Sequence, residues 1–241
     1  MKRTSILLAA MAALALAGCQ KTSDDAFGQR VRAYLLAHPE VIREAVQKLQ
    51  ENEQLAATKA STTAIRQNRD QLERDPRDVV INPDGKVTVV EFFDYRCPYC
   101  KVVAPEVVRI AQQDRDVRFV FKQFPIFGSI SDTAAKVALT PEGKAKGLAL
   151  YSALMSEKAL DDQILDKDLR AVGLDPAAVR KASADPAIDR QLLETRALAQ
   201  SLKIEGTPAF VVGDTMVPGA DIGALRAAIT QAKGAGVKRL G

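Results

Sequence analysis

Two cysteines separated by two residues lie in the stretch Phe92-Phe-Asp-Tyr-Arg-Cys-Pro-Tyr-Cys-Lys101, directly after an apolar run. That run, Val87 to Phe93, is rich in β-branched and aromatic residues, which is typical of a strand buried on both faces. Pro98 suits the first position of a helix, because its φ is already helical and its missing N–H would have no partner there. Apolar residues at helical spacing follow. The sequence therefore predicts a strand-to-helix junction with Cys97 at the N-cap and Cys100 one turn in.

Cysteines at such a junction favour thiol–disulfide chemistry. A helix N-terminus carries about half a positive charge and several unpaired N–H groups, and both favour the thiolate of Cys97. We expect Cys97 to be the nucleophile and to be open to other proteins. Cys100, partly shielded in the first turn, would attack a mixed disulfide formed at Cys97 and release the product. The reaction needs no cofactor beyond the Cys97–Cys100 dithiol/disulfide couple.

Other uses of the pair stay open at this point. It could be half of a zinc site, an inert structural disulfide, or a Cu(I) site made by two thiolates. Zinc requires four ligands, and Cys19 and His38 cannot complete a tetrahedral site within one chain, so we predict no metal. A Cu(I)-binding copper-tolerance protein is the alternative function. A surface protein that mainly adheres or signals is a third, and it predicts that Cys97→Ser keeps its activity.

Residues 1–18 have the pattern of a lipoprotein signal peptide. Met1-Lys2-Arg3 is positive, and the apolar stretch that follows has twelve residues, too few to span a bilayer as a helix. The end of the segment, Leu16-Ala17-Gly18-Cys19, resembles the lipobox of bacterial lipoproteins, which implies cleavage before Cys19 and its acylation. Gln20 is not the Asp that favours inner-membrane retention in that family, so the resemblance implies an anchor in the outer membrane. The alternative is an ordinary cleaved signal and a soluble periplasmic protein.

Export would place the cysteine pair in a compartment where disulfides persist. The formal net charge is +4, and loss of the two basic residues of the signal lowers it to +2. A charge so near balance does not suggest a nucleic-acid partner.

Residues 19–75 are predicted to form a helical arm and connector. An apolar stripe in the first half gives way to polar sequence, so the first half can bury a face and the second half can bury little. This pattern favours self-association, with a possible homo-oligomer through residues 20–75. The alternative is a pair of helices folded back on the catalytic domain. His38 precedes Pro39 and is interpreted as a turn residue.

Beyond residue 75 the sequence has the strand and helix order of an α/β domain. A Pro-Asp-Gly turn at residues 82–85 predicts that the two strands on either side are adjacent and antiparallel, as in a hairpin. Residues 131–203 are helical throughout, with Asp-Pro helix starts at Asp175 and Asp185. The order is similar to that of an α/β thioredoxin-like fold with an inserted helical domain and an N-terminal helical arm. The domain limits that follow are 76–125 and 204–241 for the thioredoxin-like domain and 126–203 for the insertion.

From about residue 79 to residue 233 the chain resembles the DsbA-like thiol–disulfide oxidoreductases. The resemblance rests on the helical insertion and on four separated motifs, Glu91-Phe-Phe93, Cys97-Pro-Tyr-Cys100, Phe121-Lys-Gln-Phe-Pro125 and Gly206-Thr-Pro208. The arm, around Tyr34 to Ile42, looks like the lead-in of the suppressor-of-copper-sensitivity C branch, whose members are oligomeric. The resemblance implies an exported enzyme that forms or isomerises disulfides in periplasmic proteins. Its partners would be unfolded or misoxidised exported proteins and a membrane oxidase or reductase.

The resemblance also implies roles near the cysteines. The Thr207-Pro208 bond would be cis and face the disulfide, and both residues would contact an extended substrate peptide; the alternative is a trans proline that merely opens a strand. Tyr99 stands where the strongest oxidants of the family carry His. The Pro98-Tyr99 dipeptide should therefore hold the Cys97 thiolate less firmly, as in a milder oxidant or an isomerase.

Two charged residues on predicted strands are further candidates. Glu91 alternates with Val89 and Phe93, so its carboxylate points into an apolar interior, where burial raises its pKa. It matches the family's buried acid, which takes and returns the proton of Cys100. Lys122 matches a lysine that pairs with that acid. The alternative is that both are surface charges on an edge strand.

Overall fold

The computed structural model describes residues 25–238, with side chains described to residue 235. The predicted signal peptide and Cys19 lie outside these residues. The chain divides into two compact units, Met1–Ala57 and Thr58–Gly241. Among the described residues, no helix combines the length and the apolar character that crossing a bilayer demands.

The described part of the first unit, residues 25–57, is helical. Residues 25–37 form α1, and α2 spans Glu40–Gln67 after a break at His38 and Pro39. The His38 ring lies 3.1 Å from the Glu40 carboxylate at the surface, in agreement with a turn residue. Large apolar side chains are exposed along the arm: Phe27, Val31, Tyr34, Leu36, Ile42, Val46, Leu49 and Leu55.

The second unit contains a five-stranded sheet in the order β1-β3-β2-β4-β5. Its strands are β1 Val79–Ile81, β2 Val87–Phe93, β3 Val117–Gln123, β4 Ala209–Val212 and β5 Thr215–Pro218. The β2–β3 pair is parallel and the other three pairs are antiparallel. The helices that follow α2 are α3 Arg69–Glu73, α4 Pro98–Gln113, α5 Ser129–Leu139, α6 Pro141–Ala145, α7 Gly147–Ser156, α8 Asp162–Ala171, α9 Pro176–Ala182, α10 Pro186–Ser201 and α11 Ile222–Lys238. The predicted fold class is confirmed.

The turn at residues 82–85 does not join neighbouring strands, so that prediction was wrong. β3 lies between β1 and β2. The Asn82 side chain donates to the carbonyls of Ala111 and Val117 at 2.8 and 3.1 Å. A Cβ on Gly85 would lie 2.6 Å from the Arg118 amide nitrogen. The turn therefore packs against the start of β3, which only a glycine permits at position 85.

The helical stretch is confirmed, with side-chain caps at its two Asp-Pro starts. Asp175 accepts a hydrogen bond from the amide of Ala177 at 3.1 Å, and Asp185 accepts one from Ala187 at 2.8 Å. Helix α7 begins very close to the edge of the sheet, since a Cβ on Gly147 would lie 2.6 Å from Cγ1 of Val79.

The two faces of the sheet carry different cores. In the parallel β2–β3 register, Glu91 lies opposite Phe121 and Phe92 lies opposite Lys122. One face, which we call the cysteine face, packs α4, α7 and α11 and includes Val89, Phe93, Phe119, Phe121 and both cysteines. The other, which we call the connector face, includes Val90, Phe92, Val120, Phe124, Ile65, Leu72, Leu198 and Leu202.

The connector face corrects the prediction that the second half of the arm buries little. Ile65, near the end of α2, and Leu72, in α3, are fully buried there. Burying such side chains contributes about 1.5–3 kcal/mol each, so two residues suffice to hold this polar segment. Arg66 and Arg69 also bind Asp214 in the β4–β5 turn. From Thr58 onward the segment belongs to the second unit, and the alternative of a fold-back onto the catalytic domain was correct for this part.

Candidate active site

The cysteine pair occupies the predicted strand-to-helix junction. Cys97 is the N-cap of α4, Pro98 is at the first helical position, and the Cys100 amide donates to Cys97 Sγ at 3.3 Å. Both cysteines are free thiols. The helix start therefore holds the two sulfurs on adjacent positions of its first turn, as predicted.

The two thiols differ in acidity. Hydrogen bonding from the Cys100 thiol lowers the pKa of Cys97 to about 6, although burial opposes the shift; the Thr207 side chain and the amides of Cys100 and Tyr99 add to the lowering. Burial raises the pKa of Cys100, and the neighbouring Cys97 and Glu91 raise it further. At neutral pH the pair therefore carries one thiolate on Cys97 and one proton on Cys100.

The Thr207-Pro208 peptide bond is cis, as the resemblance implied, and the trans alternative was wrong. The Thr207 carbonyl oxygen lies 3.2 Å from Cys97 Sγ. A carbonyl oxygen can accept a hydrogen bond only from the protonated thiol, so this contact opposes ionisation. Beside it, a groove of about 340 Å³ is lined by Glu205, Gly206, Thr207, Pro208 and Met216 among others.

The expected exposure of Cys97 was wrong for this state of the protein. Cys97 is 1% exposed, whereas Tyr99 is 66% exposed. The reason is that Sγ points back toward the Thr207 carbonyl and the Cys100 amide, while the Tyr99 side chain points to solvent. A substrate sulfur therefore reaches Cys97 only after displacing this contact.

Glu91 is buried on the cysteine face, so the surface-charge alternative was wrong. Tyr151 Oη lies 3.0 and 3.1 Å from its two carboxylate oxygens. Burial raises the pKa of Glu91 to about 8; the hydrogen bond from Tyr151 acts in the opposite direction, and Cys97 adds to the rise. An acid with this pKa can hold or release a proton near neutral pH.

Lys122 does not pair with Glu91, and that prediction was wrong. The β2–β3 register places Lys122 opposite Phe92, and its side chain lies on the connector face. There Nζ lies 2.5 Å from Asp78 Oδ2, with both side chains 2% exposed, and it also donates to the Gln71 carbonyl. The surface-charge alternative was wrong as well. Lys122 thus joins the connector to the sheet and does not contact the cysteines.

Sequence reasoning missed Tyr151 and Asp94. Asp94, buried between β2 and the cysteines, accepts hydrogen bonds from the amides of Ile126 and Phe127 at 2.7 and 3.0 Å and from the Ser131 hydroxyl at 2.8 Å. It orders the loop after β3. A carboxylate between an apolar strand and a cysteine was a visible signal for Asp94. For Tyr151, a tyrosine in an apolar helix was the only signal.

Among the described residues, no group of three or more His, Cys, Asp or Glu side chains is arranged to hold a metal ion. The site consists of a low-pKa thiolate, a protonated thiol, a cis-proline segment and a buried acid. These features on this sheet define a thioredoxin-fold protein whose chemistry is thiol–disulfide exchange.

Comparison with known families gives the same class. The model of the DSBA-like thioredoxin domain matches residues 88–228, and the chain belongs to this family of thiol:disulfide oxidoreductases. A second model, the copper resistance protein ScsC N-terminal domain, matches residues 24–56. The resemblance inferred from the sequence is thereby confirmed in both parts.

Individual relatives agree with the family assignment. The thiol:disulfide interchange protein DsbA of Bordetella parapertussis is 28% identical over 174 residues, covering 66% of this chain and 81% of that protein. The crystal structure of BcfH from Salmonella enterica Typhimurium has a TM-score of 0.72 and 33% identity, covering 88% of this chain and 96% of that chain. A linker-deletion mutant of Proteus mirabilis ScsC has a TM-score of 0.67 and 30% identity, covering 85% and 92%.

Proposed function

We propose that this enzyme forms or reshuffles disulfides in exported proteins, with Cys97 as nucleophile and Cys100 as resolving thiol. The observation that carries the assignment is the asymmetry of the pair, a pKa near 6 for Cys97 beside a raised pKa for Cys100. Attack by the Cys97 thiolate on a substrate disulfide forms a mixed disulfide and releases one substrate thiolate. Cys100 then loses its proton and attacks Cys97 Sγ, which forms the Cys97–Cys100 bond and expels the second substrate thiolate.

Oxidation of a substrate runs the same steps in reverse. A substrate thiolate attacks Cys97 of the enzyme disulfide, and Cys100 leaves as a thiolate that takes up a proton. A second substrate thiolate then attacks the mixed disulfide, so the substrate gains a disulfide and the enzyme becomes a dithiol. Net oxidation requires a membrane redox partner that restores the enzyme disulfide.

Glu91 is proposed as the proton acceptor and donor for Cys100. It lies on the same face of the sheet as Cys100, it is fully buried, and its charge raises the pKa of Cys100. Thr207 and Pro208 are proposed to contact the substrate, which would lie in the groove beside them and displace the Thr207 carbonyl from Cys97.

The direct test compares the wild-type protein, Cys97→Ser and Cys100→Ser in insulin reduction and dithiol oxidation. We expect Cys97→Ser to abolish turnover and Cys100→Ser to accumulate mixed disulfides that are visible by mass spectrometry. Retention of activity by Cys97→Ser would refute the enzyme mechanism and would favour a protein that mainly adheres or signals.

The enzyme is further proposed to work in the periplasm, anchored to the outer membrane by acylation of Cys19. The support is the sequence pattern of residues 1–20. Globomycin treatment and palmitate labelling test it: an acylated Cys19 incorporates label, and Cys19→Ala does not. Labelled protein in the inner-membrane fraction would contradict the outer-membrane assignment.

A homo-oligomer through the arm would favour isomerase over oxidase activity, because it brings several sites together and shields them from the membrane oxidase. Exposed apolar residues along residues 25–57 and the match to the ScsC N-terminal domain support association there. Deletion should remove residues 20–57 only, since Ile65 and Leu72 belong to the catalytic unit. We expect the deletion to give monomers that lose most scrambled-ribonuclease refolding and keep dithiol oxidation. Equal refolding by monomers would indicate an oxidase.

Cu(I) binding by the same two thiolates is the alternative function, and the match of the arm to a copper resistance protein domain favours testing it. Two thiolates are a soft pair suited to Cu(I). Competition for Cu(I) with bicinchoninic acid distinguishes a copper protein from a thiol–disulfide enzyme. A copper protein keeps its Cu(I) in the presence of this chelator and shows no turnover with insulin.

A further inference from the structure

Tyr151 is the one polar group from the helical insertion that reaches the buried acid beneath the cysteines, among the residues that the structure describes. It comes from α7, sixty residues along the chain from Glu91, and it is fully buried. Its ring stacks on Phe121 with centroids 4.6 Å apart and meets Phe93 edge-on at 5.1 Å. The aromatic contacts fix the ring, and the fixed ring directs the hydroxyl between both carboxylate oxygens.

The carboxylate has no substitute for this contact among the side chains of residues 25–235. In that range, no other side chain donates a hydrogen bond to Glu91. Lys122, a charged residue on the neighbouring strand, points to the opposite face and binds Asp78. A buried carboxylate without any donor strongly favours its protonated form, and a protonated acid cannot accept a proton.

We propose that Tyr151 is a positioning residue for disulfide exchange, whose hydroxyl holds the Glu91 carboxylate in place and keeps it able to take the proton of Cys100. The inference rests on the proton-transfer role proposed for Glu91. In the step concerned, the Cys100 S–H bond breaks, its proton moves to the carboxylate, and the thiolate attacks Cys97 Sγ. The Cys97–substrate S–S bond breaks as the Cys97–Cys100 bond forms.

The titratable groups facing Glu91 come from three elements. They are Cys97 and Cys100 at the start of α4, Tyr95 at the junction before it, and Tyr151 on α7. Burial raises the pKa of both tyrosines above the ordinary value, so both stay neutral in the working range. Of these groups, Glu91 and Cys97 therefore change charge near neutral pH.

Tyr151→Phe is the informative variant because it keeps the ring contacts and removes only the hydroxyl. The reduced full-length protein is mixed with oxidised glutathione, quenched with acid and resolved by mass spectrometry, since the chain has no Trp to serve as a fluorescent reporter. The first phase forms the mixed disulfide at Cys97, and the second phase is its resolution by Cys100. Below pH 8 we expect the second phase to slow about threefold to tenfold, with the first phase unchanged. Its pH profile should shift to higher pH.

Tyr95→Phe is the matched control. Tyr95 is also buried and meets Phe93 edge-on at 5.1 Å, but its hydroxyl is bound by Gln123 at 3.3 Å and not by Glu91. The control should keep the wild-type pH profile. An equal shift in both variants would show a general packing effect and would overturn the proposal.

Glu91→Gln separates this inference from the function on which it rests. If Glu91→Gln leaves the second phase unchanged, the proton role of Glu91 fails. If it slows the phase and Tyr151→Phe does not, the inference alone fails. In the Glu91→Gln background, Tyr151→Phe should have no further effect on the pH profile, because the group through which it acts has been removed.

A measurement on the unaltered protein keeps the proposal testable even if Tyr151→Phe folds poorly. With 13C labels at Glu Cδ and Tyr Cζ, the Glu91 carboxyl and the Tyr151 Cζ resonances should titrate with one common midpoint. A Tyr151 resonance that ignores the Glu91 midpoint would overturn the proposal whatever the kinetics show.

Discussion

The two faces of the sheet each bury a carboxylate, and they stabilise it by different means. On the connector face Asp78 has a cationic partner, Lys122, at 2.5 Å and a second donor, Gln191, at 3.2 Å. On the cysteine face Glu91 has one neutral donor, Tyr151, among the described residues. The pKa of Asp78 is raised by burial to about 6 and that of Glu91 to about 8. The ion pair with Lys122 keeps Asp78 charged and stabilises the fold. The single hydroxyl of Tyr151 leaves Glu91 able to exchange its proton at the pH of the reaction.

Removal of the cation should have the largest effect on stability. Lys122→Met leaves Asp78 buried without its charge partner, which costs about 3–5 kcal/mol of the free energy of unfolding. Urea denaturation measures the loss. Lys136→Met, which breaks the half-exposed Lys136–Asp189 pair, should cost about 0–1 kcal/mol.

The same variant should leave the chemistry of the cysteine face alone. For Lys122→Met we expect an unchanged pH profile for the second phase of the reaction with oxidised glutathione. A shifted profile would contradict the separation of the two faces.

Replacement of the acid on the cysteine face should change how stability depends on pH. The pKa of Glu91 is about 8 in the folded protein, compared with an ordinary value of 4.5. Between these two pH values Glu91 is protonated in the folded state and ionised in the unfolded state. Stability from Glu91 is therefore complete below pH 4.5 and is lost as pH rises through 8. Glu91→Gln should gain about 2–4 kcal/mol relative to wild type as the pH is raised from about 4.5 to about 7.

Exposed Glu142 supplies the control for that experiment. Glu142→Gln should show the same pH dependence as wild type in denaturation at each pH. If the stability of Glu91→Gln shows the same pH dependence as that of wild type, the pKa of Glu91 does not differ between the folded and unfolded states. Burial would then not shift its titration.

The smallest effect is expected at the second donor to Asp78. Gln191→Leu removes one hydrogen bond and should cost about 1 kcal/mol at pH 7. It should also raise the pKa of Asp78, so the loss of stability that accompanies Asp78 ionisation moves to higher pH. Gln200→Leu, on the exposed side of the same helix, is the control and should change neither quantity.

What the sequence revealed followed from local rules. The N-cap position of Cys97, the helix starts at Asp175 and Asp185 and the inward direction of Glu91 depend only on neighbours in the chain. The alternation of side chains along β3 also correctly predicted that Lys122 lies on the same face of the sheet as Val120 and Phe124. Which face of the sheet these residues occupy depends on the β2–β3 register, which is a long-range property.

The errors have the same origin. The turn at residues 82–85 was interpreted as a hairpin because the contact of Gly85 with β3 is not visible locally. The second half of the arm was expected to bury little, because the apolar connector face that receives its Ile65 and Leu72 is formed by distant strands. The covering of Cys97 by Thr207 joins residues 110 positions apart.

The lack of a side chain at Gly147 affects the protonation of Glu91. Gly147 and Tyr151 are one turn apart on α7, and the helix approaches Val79 so closely that a methyl group at position 147 would overlap it. Gly147→Ala would push the helix away from the sheet and draw the Tyr151 hydroxyl off the carboxylate. A variant that removes no polar atom should thus shift the pH profile of the second phase to higher pH, as expected for Tyr151→Phe. The distance between α7 and the edge of the sheet at Val79 would then help to determine the pKa of Glu91.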